Sequence, residues 1–270
     1  MKQVNPIKSN KIVIIAFSGG LDTSFCVPYL REQGYAVITV TVNTGGFLQA
    51  QLNKIKNASK RLGAEAHYVI DVRQKVYTQF AEYLIKANYL KGGVYPACVG
   101  PERTAIAGAI AQLAKQLNIN TVAHGSTAAG NDQVRFEVSL RAFLPGVKIL
   151  APIRDQNFTR TEEMNYLVKH GFPLTTGHKQ YSINIGLWGT TISGPETITT
   201  DDELPDSIFP TVLPLKKVKK GSVTCKLTFS KGVPTQLDGK KINGLSLIKK
   251  LNKIAAPHGF GKEYHIGTTI

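Results

Sequence analysis

Apolar runs alternate with amphipathic stretches along the first two thirds of the chain. The runs are rich in β-branched residues and predict strands over residues 11–17, 36–43, 66–72, 121–124 and 147–151. Apolar residues at helical spacing predict intervening helices over residues 23–33, 48–62, 75–87, 102–117 and 162–170. Because strands that alternate with helices build βαβ units, the pattern predicts a doubly wound parallel sheet.

The pattern changes after about Phe172, where Gly, Pro, Thr and Ser dominate and a strand is predicted only over residues 223–229. The stretch "TFSKGVPTQLDGKKI" predicts a β-hairpin with a second turn at Asp238–Gly239, and residues 244–254 predict one amphipathic helix. The predicted fold class is therefore α/β with a second, smaller α+β domain. We expect the first domain over residues 1–172 and the second over residues 173–270.

Composition fits a folded globular protein. The chain has 270 residues, of which 42% are hydrophobic, enough for a substantial core. No signal-peptide pattern opens it, so a soluble, cytoplasmic protein with no membrane partner is expected. Cys26, Cys98 and Cys225 are too few and too scattered for a disulfide framework or a metal site, and Cys26 and Cys225 are expected to be core thiols.

The charge is strongly positive. Lys and Arg number 33 against 18 Asp and Glu, a formal net charge of +15. This balance suits nucleic acid, a membrane surface or a small polyanion such as ATP, and does not choose among them. The densest lysine cluster, residues 216–220, has no interleaved aromatic residues and is expected to be a solvated linker.

The string "IIAFSGGLDTSFC" places an apolar strand, two glycines and a helix start in succession. Gly19 and Gly20 let backbone N–H groups converge, and the helix that begins near Asp22 adds its positive dipole end, so the turn suits a phosphate. The spacing matches neither G-x-x-x-x-G-K-[ST] nor G-x-G-x-x-G, so a Walker-type hydrolase or an NAD enzyme is not indicated. The alternative is an ordinary turn in which Asp22 caps the helix.

The string "SGGLDTS" resembles the pyrophosphate-binding loop of the ATP pyrophosphatase (PP-loop, HUP-like) superfamily. Further strings resemble the argininosuccinate synthase family in order: "YLREQGYAVITVTVNTG", "HGSTAAGNDQVRFE", "YSINIGLWGTTISG" and "LIKKLNKIAAPHGFGK". The resemblance implies a nucleotide-binding domain followed by a synthetase domain. It also implies a ligase in which ATP activates the ureido oxygen of citrulline and the aspartate amine displaces AMP. ATP and Mg are the implied cofactors.

The resemblance also implies the site residues. The ATP-binding set is Ala16, Phe17, Ser18, Gly19, Gly20, Leu21, Asp22, Thr23, Ser24, Val42, His124 and Gly125. The aspartate-binding set is Thr127, Asn131 and Asp132, and the citrulline-binding set is Tyr95, Asn131, Arg135, Ser182 and Thr191. Asp22 and Asp132 are the expected catalytic residues, and no residue is expected to ligate a metal directly.

Several of these residues have simpler explanations. Asn131–Asp132 would also serve as a helix cap, Arg135 as a surface ion-pair partner and Tyr95 as part of a stiff loop. His124 would serve as a satisfied strand-end histidine. Trp188 is expected to be a packing residue of the second domain.

Departures from the family lie mostly on the citrulline side. Gly100 stands where the family has a citrulline-contacting serine, Thr191 replaces a second serine, and Ala129 replaces a lysine beside the nucleotide. The family continues after "HGFG" through a Glu and a Tyr of the citrulline pocket; Gly267 aligns with the Glu directly, whereas a deletion would align Glu263–Tyr264 with the Tyr.

The chain ends at Ile270, before the long helix that the family uses in tetramer assembly, so a shortened second domain and a weakened homo-oligomer are expected.

Three interpretations stay open from the sequence. The first is a short argininosuccinate synthase. The second is a paralogue that adenylates another ureido, amide or carboxylate acceptor, since one lost hydrogen bond can retune specificity. The third is an RNA-modifying, thiolation-like relative or an inactive ATP-binding module. Cys98 and the net charge favour this third interpretation. Retention of the aspartate set speaks against nucleic acid as the partner.

Overall fold

The computed structural model describes residues 11–128, 131–172, 181–199 and 201–265. They form two compact units: the first contains residues 11–72 and 103–172, and the second contains residues 73–102 and 181–265. Residues 73–102 belong to the second unit because their side chains pack there, as where Trp188 Nε1 donates to the Pro96 carbonyl at 2.8 Å. The sequence predicts one domain boundary at residue 172, which leaves residues 73–102 in the first domain. That boundary stays a prediction.

The first unit is built on a parallel five-stranded sheet in the order β3-β2-β1-β4-β5. Its strands are β1 (Ile12–Ala16), β2 (Ala36–Asn43), β3 (Ala66–Asp71), β4 (Thr121–Ala123) and β5 (Lys148–Leu150). The predicted strands and the doubly wound sheet are confirmed, with ends that differ by at most one residue. Every residue of β2 is buried, as expected for a parallel strand with helices on both faces.

The helices follow the chain between and after these strands. In chain order they are α1 (Leu21–Glu32), α2 (Gln49–Arg61), α3 (Arg73–Val76), α4 (Glu82–Lys86), α5 (Val99–Gln116), α6 (Asp132–Phe143), α7 (Pro152–Gln156), α8 (Arg160–Lys169) and α9 (Gly244–Ala255). The predicted helix over residues 75–87 is interrupted, because Tyr77–Ala81 forms a π-helical turn between α3 and α4.

Helix α6 was not predicted from the sequence. Phe136 and Leu140 are its buried residues and stand four apart, but Val134, Val138 and Phe143 are exposed and blur the amphipathic pattern. The segment that carries the aspartate set therefore ends in a helix, α6.

Aromatic packing anchors α1 and α8 in the same unit. Phe25 of α1 is fully buried, and its ring centroid lies 4.8 Å from that of Phe158 and 5.0 Å from that of Tyr166. The start of α1 is thus held on a rigid aromatic cluster.

The second unit contains two small antiparallel sheets. One pairs β6 (Ser182–Ile185) with β7 (Thr190–Ser193), and the other has the order β10-β9-β8, with β8 (Leu227–Ser230), β9 (Val233–Leu237) and β10 (Lys240–Lys241). The predicted hairpin, its second turn at Asp238–Gly239 and helix α9 are confirmed. The strand predicted over residues 223–229 is wrong at its start: pairing begins at Leu227, because the Asp238 carboxylate accepts from the Lys226 N–H at 2.7 Å and closes the sheet there.

Among the described residues, no helix has both the length and the apolar character that crossing a membrane requires.

Candidate functional site

The glycine turn after β1 has the geometry that its sequence predicts. Gly19 has φ +74°, a left-handed conformation that glycine adopts without strain, and Gly20 is the N-cap residue of α1. The cap carries no side-chain hydrogen bond. The turn therefore offers the first N–H groups of α1 and the positive end of its dipole to an anion.

Hydroxyl groups surround the same turn. Ser18 Oγ lies 3.2 Å from Thr23 Oγ1 and accepts from the Gly20 N–H at 3.3 Å, while Thr23 Oγ1 donates to the Gly20 carbonyl at 3.4 Å. Asp22 lies within the first turn of α1, so the alternative that Asp22 caps the helix is wrong. Thr41 Oγ1 donates to the Phe17 carbonyl at 2.7 Å and ties the turn to β2, where Val42 is buried.

The loop after β4 packs against the start of α1. A Cβ built on Gly125 would lie 3.1 Å from both the Asp22 carbonyl carbon and the Thr23 nitrogen. The sheet order explains the meeting: β1 and β4 are adjacent parallel strands, so the loops at their carboxyl ends leave the same edge of the sheet side by side. The strand order reverses at β1, because β2 lies on one side of it and β4 on the other. Ligands of open α/β sheets bind at such a switch point.

His124 holds this loop through both ring nitrogens. Its Nδ1 accepts from the Ser126 N–H at 3.2 Å, so its Nε2 donates to Glu137 Oε1 at 3.1 Å. Arg154 also donates to Glu137 Oε1, and burial lowers the pKa of His124. A neutral histidine with both nitrogens bonded matches the satisfied strand-end alternative and leaves no free nitrogen for a nucleotide.

The predicted aspartate set lies on the same loop and the start of α6. Asn131 is the N-cap residue of α6, with no side-chain cap bond, and Asp132 lies in the first turn. Thr127 is exposed before them. Asp132 Oδ2 accepts from Arg103 Nη2 at 2.7 Å, and Asp132 Oδ1 accepts from Arg135 Nη1 at 3.5 Å.

Arg103 was not found by the sequence reasoning. Its position in α5, shortly after the Tyr95–Gly100 loop, could have drawn attention to Arg103. Nothing in the linear sequence shows that the Arg103 side chain reaches Asp132, 29 residues away.

The remaining citrulline residues, Tyr95, Ser182 and Thr191, belong to the second unit, whereas Asn131 and Arg135 belong to the first. Ser182 pairs with Ser193, and Asn184 pairs with Thr191. Since side chains alternate faces along a strand, Ser182 and Thr191 are diagonal neighbours on one face of the β6–β7 sheet. The sequence reasoning missed this hairpin, although "SINI" and "TTIS" alternate around a Gly-Leu-Trp-Gly turn.

Tyr95 is held by its hydroxyl and its ring. The hydroxyl oxygen accepts from the Val99 N–H at 3.1 Å, and the ring stacks on His265 with centroids 5.0 Å apart. The hydroxyl oxygen of Tyr264, a residue with a possible family counterpart, accepts from the Leu204 N–H at 3.2 Å. Ala129 and Gly267, two of the departures from the family, lie outside the described residues.

Two of the cysteines are shielded from solvent. Cys26 and Cys98 are buried, and burial raises the pKa of each thiol, whereas Cys225 is only half-buried and not the core thiol that was predicted. A thiolate is the reactive form of cysteine, so the two buried thiols are poorly suited to sulfur transfer at neutral pH.

The parallel five-stranded sheet and the glycine turn at the end of β1 define an open α/β domain with a glycine-rich strand-to-helix turn, accompanied by a smaller second domain. The sequence matches the description "Arginosuccinate synthase N-terminal HUP domain" over residues 12–173 and "Arginosuccinate synthase C-terminal domain" over residues 181–268. The chain belongs to the argininosuccinate synthase family.

Curated relatives agree with this family. The chain is 38% identical over 254 residues to argininosuccinate synthase from Methanocaldococcus jannaschii, covering 93% of this chain and 63% of the relative. It is 36% identical over 262 residues to that of Sulfurisphaera tokodaii, covering 96% and 65%. For Dictyoglomus turgidum the identity is 38% over 256 residues, covering 94% and 63%. The chain thus spans less than two thirds of the length of these relatives.

Proposed function

We propose that this chain catalyses the argininosuccinate synthase reaction, in which ATP drives the joining of citrulline to aspartate. The observation that carries the proposal is the contact of Gly125 with the Asp22 backbone. It supports the proposal because the loop that carries Thr127 passes beside the glycine turn, within one unit of the fold. Phosphates at the turn and an amino acid on the loop would then be neighbours, as the reaction requires.

The reaction has two balanced steps. The ureido oxygen of citrulline attacks the α-phosphorus of ATP, an O–P bond forms, and the bond to the β-phosphate breaks to release pyrophosphate. The aspartate amine, which has given up one ammonium proton, then attacks the ureido carbon: a C–N bond forms, the C–O bond breaks to release AMP, and the nitrogen gives up one further proton while keeping one in the guanidinium product. Adenylation is needed because the ureido carbon is otherwise a poor electrophile.

The phosphates are proposed to lie on the N–H groups at the start of α1. The ATP set is Ala16, Phe17, Ser18, Gly19, Gly20, Leu21, Asp22, Thr23, Ser24, Val42 and Gly125, with His124 holding the loop rather than contacting the nucleotide. Within the described ranges, no group of three or more His, Cys, Asp or Glu side chains is arranged to hold a metal. Mg would arrive on the phosphate oxygens of Mg-ATP, a mode that Mg favours.

Asp132 is proposed to act on the aspartate amine. Its carboxylate is paired with Arg103 at 2.7 Å, and a carboxylate held in this way is suited to anchor an ammonium group or to accept a proton. Thr127 and Asn131 would donate to the carboxylates of aspartate. The Arg135 guanidinium is half-exposed on α6 and offers a fork to the carboxylate of citrulline.

Tyr95, Ser182 and Thr191 are proposed as further citrulline contacts. Thr191 keeps the hydroxyl of the serine that it replaces, whereas Gly100 does not. A cytoplasmic location and a homo-oligomer remain predictions from the sequence.

The test is a reconstitution with omissions. The purified protein is incubated with Mg-ATP, citrulline and aspartate, each omitted in turn, while AMP, pyrophosphate and the product mass are followed. The argininosuccinate mass should appear only in the complete mixture. Asp132→Ala should abolish it, and Asp201→Ala, at an exposed position of the second unit, should not. AMP without argininosuccinate, or activity only with another acceptor, would replace this proposal with the paralogue.

A further inference from the structure

A carboxyl group that the reaction scheme does not use lies beneath the glycine turn. Glu163, on α8, is 1% exposed, although glutamate is rarely buried without a partner. Its Oε2 is buried, and no N–H or hydroxyl group of the described residues donates a hydrogen bond to it. A buried carboxylate would need such donors, whereas a neutral carboxylic acid needs an acceptor.

The acceptor is Asp22. Helices α1 and α8 pack together, and the Glu163 carboxyl is close enough to the Asp22 carboxyl, in the first turn of α1, for the two groups to interact electrostatically. Two ionised carboxylates that face each other repel, so we expect one proton to be shared between them. Arg160 Nη1 lies 3.7 Å from Asp22 Oδ1 on the solvent side. Arg160 therefore faces Asp22, whereas Glu163 is buried, which places the shared proton on Glu163.

We propose that Glu163 is a positioning residue of the nucleotide site: as a neutral acid it donates to Asp22 and holds that carboxylate on the α8 side. The inference rests on the proposed function, because its purpose is to keep a negative charge away from the phosphate-binding N–H groups of α1. If Glu163 ionises, repulsion turns Asp22 from α8 toward the phosphates, and ATP binds less tightly.

The surroundings fit a neutral Glu163. Burial raises the pKa of Glu163 to about 8, the Asp22 charge acts in the same direction, and Arg160 opposes both. Among the described residues, the Cys26 thiol of α1 also faces it, and the pKa of that thiol is raised by burial and then by Glu163 and Asp22. The burial of Glu163 and the raised pKa of the Cys26 thiol are therefore both consistent with one proton shared by Glu163 and Asp22.

The first test is spectroscopic and needs no substrate. Wild-type protein at neutral pH should show the infrared carbonyl band of a buried protonated carboxyl, and Glu163→Gln should lose it. Glu162→Gln is the matched control, because Glu162 is exposed and its pKa is lowered by the Thr159 N–H. A wild-type spectrum without the band overturns the proposal.

The second test is the affinity for a non-hydrolysable Mg-ATP analogue, measured by calorimetry as a function of pH. Wild-type affinity should fall about tenfold as the pH rises through about 8, whereas Glu163→Gln, which keeps a donor at all pH values, should show a flat profile. Glu163→Ala should bind about tenfold more weakly at neutral pH, and that loss should vanish in the Asp22→Asn background. A Glu163→Gln profile that still falls would overturn the proposal.

The two tests separate the two ideas. Wild-type protein that shows the band but binds no nucleotide would contradict the proposed function and the role of Glu163 in it, while leaving the shared proton established. Wild-type protein that binds nucleotide with no band would contradict the inference alone.

Discussion

Gly125 lies so close to Asp22 that a Cβ at Gly125 would stand 3.1 Å from the Asp22 carbonyl carbon. Backbone atoms, unlike the end of a flexible side chain, cannot move aside at a low cost in free energy. The loop after β4 can therefore lie this close to the start of α1 only while residue 125 is glycine.

Gly125→Ala should separate the loop from α1. We expect a loss of stability of about 1–3 kcal/mol, as for other overpacked sites, and at least about tenfold weaker binding of a Mg-ATP analogue. Urea denaturation and calorimetry measure the two effects. Gly108→Ala is the control, because its Cβ would meet the movable Phe143 ring at 3.4 Å. Equal effects of the two substitutions would contradict the role given to Gly125.

Gly19→Ala should impair ATP binding beyond its effect on stability. Gly19 has φ +74° and its Cβ would lie 3.1 Å from Ile55 Cγ1, so strain of about 1–2 kcal/mol is expected. Gly34→Ala imposes a similar strain at φ +82°, where its Cβ meets nothing within 4 Å. Both variants should be less stable, and only Gly19→Ala should weaken nucleotide affinity. Unchanged affinity in the folded Gly19→Ala protein would contradict a phosphate site at the turn.

Gly100→Ser should improve citrulline use. A Cβ at Gly100 meets no heavy atom within 4 Å, so the hydroxyl that the family carries there fits without strain. One restored hydrogen bond is worth about 0.5–1.5 kcal/mol, so KM for citrulline should fall about threefold to tenfold. Steady-state kinetics measure this, with Gly100→Ala as the matched control without a hydroxyl. A change of the same size in both variants would show that the hydroxyl has no part in it.

His124 should make stability depend on pH on the acid side. Burial lowers the pKa of His124, Glu137 and Asp155 oppose this, and Arg154 reinforces it. Below the ordinary imidazole pKa of about 6.5, the unfolded chain binds a proton that the folded protein binds less readily. Stability is therefore fully present above that pH and is lost as the pH falls, when Nδ1 can no longer accept from Ser126.

His124→Ala should flatten this acid limb in urea denaturation between about pH 5 and pH 8. The exposed His170 provides the control, since His170→Ala should leave the limb in place. A limb that survives in His124→Ala would assign it to other groups.

Hydrophobic periodicity alone predicted the helices and strands whose buried residues match the apolar positions of the sequence pattern. The fully buried β2 reads as a run rich in β-branched residues, and α9 keeps its apolar residues on one face. It failed for α6, whose exposed Val134 and Val138 hide the helical face, and for the strands of the β6–β7 hairpin, which are only four residues each. The π-helical turn at Tyr77–Ala81 has no periodic signal at all.

The order of strands and helices and the glycine turn could be predicted from the chain alone, because they depend on neighbours a few residues apart. The motifs were sufficient to identify the family. Which distant groups meet became known only from the folded chain: Gly125 with the Asp22 backbone, Arg103 with Asp132, and Glu163 with Asp22. These pairs depend on the sheet order and on the packing of α1 against α8, and burial there, rather than residue type, sets the charge of Glu163.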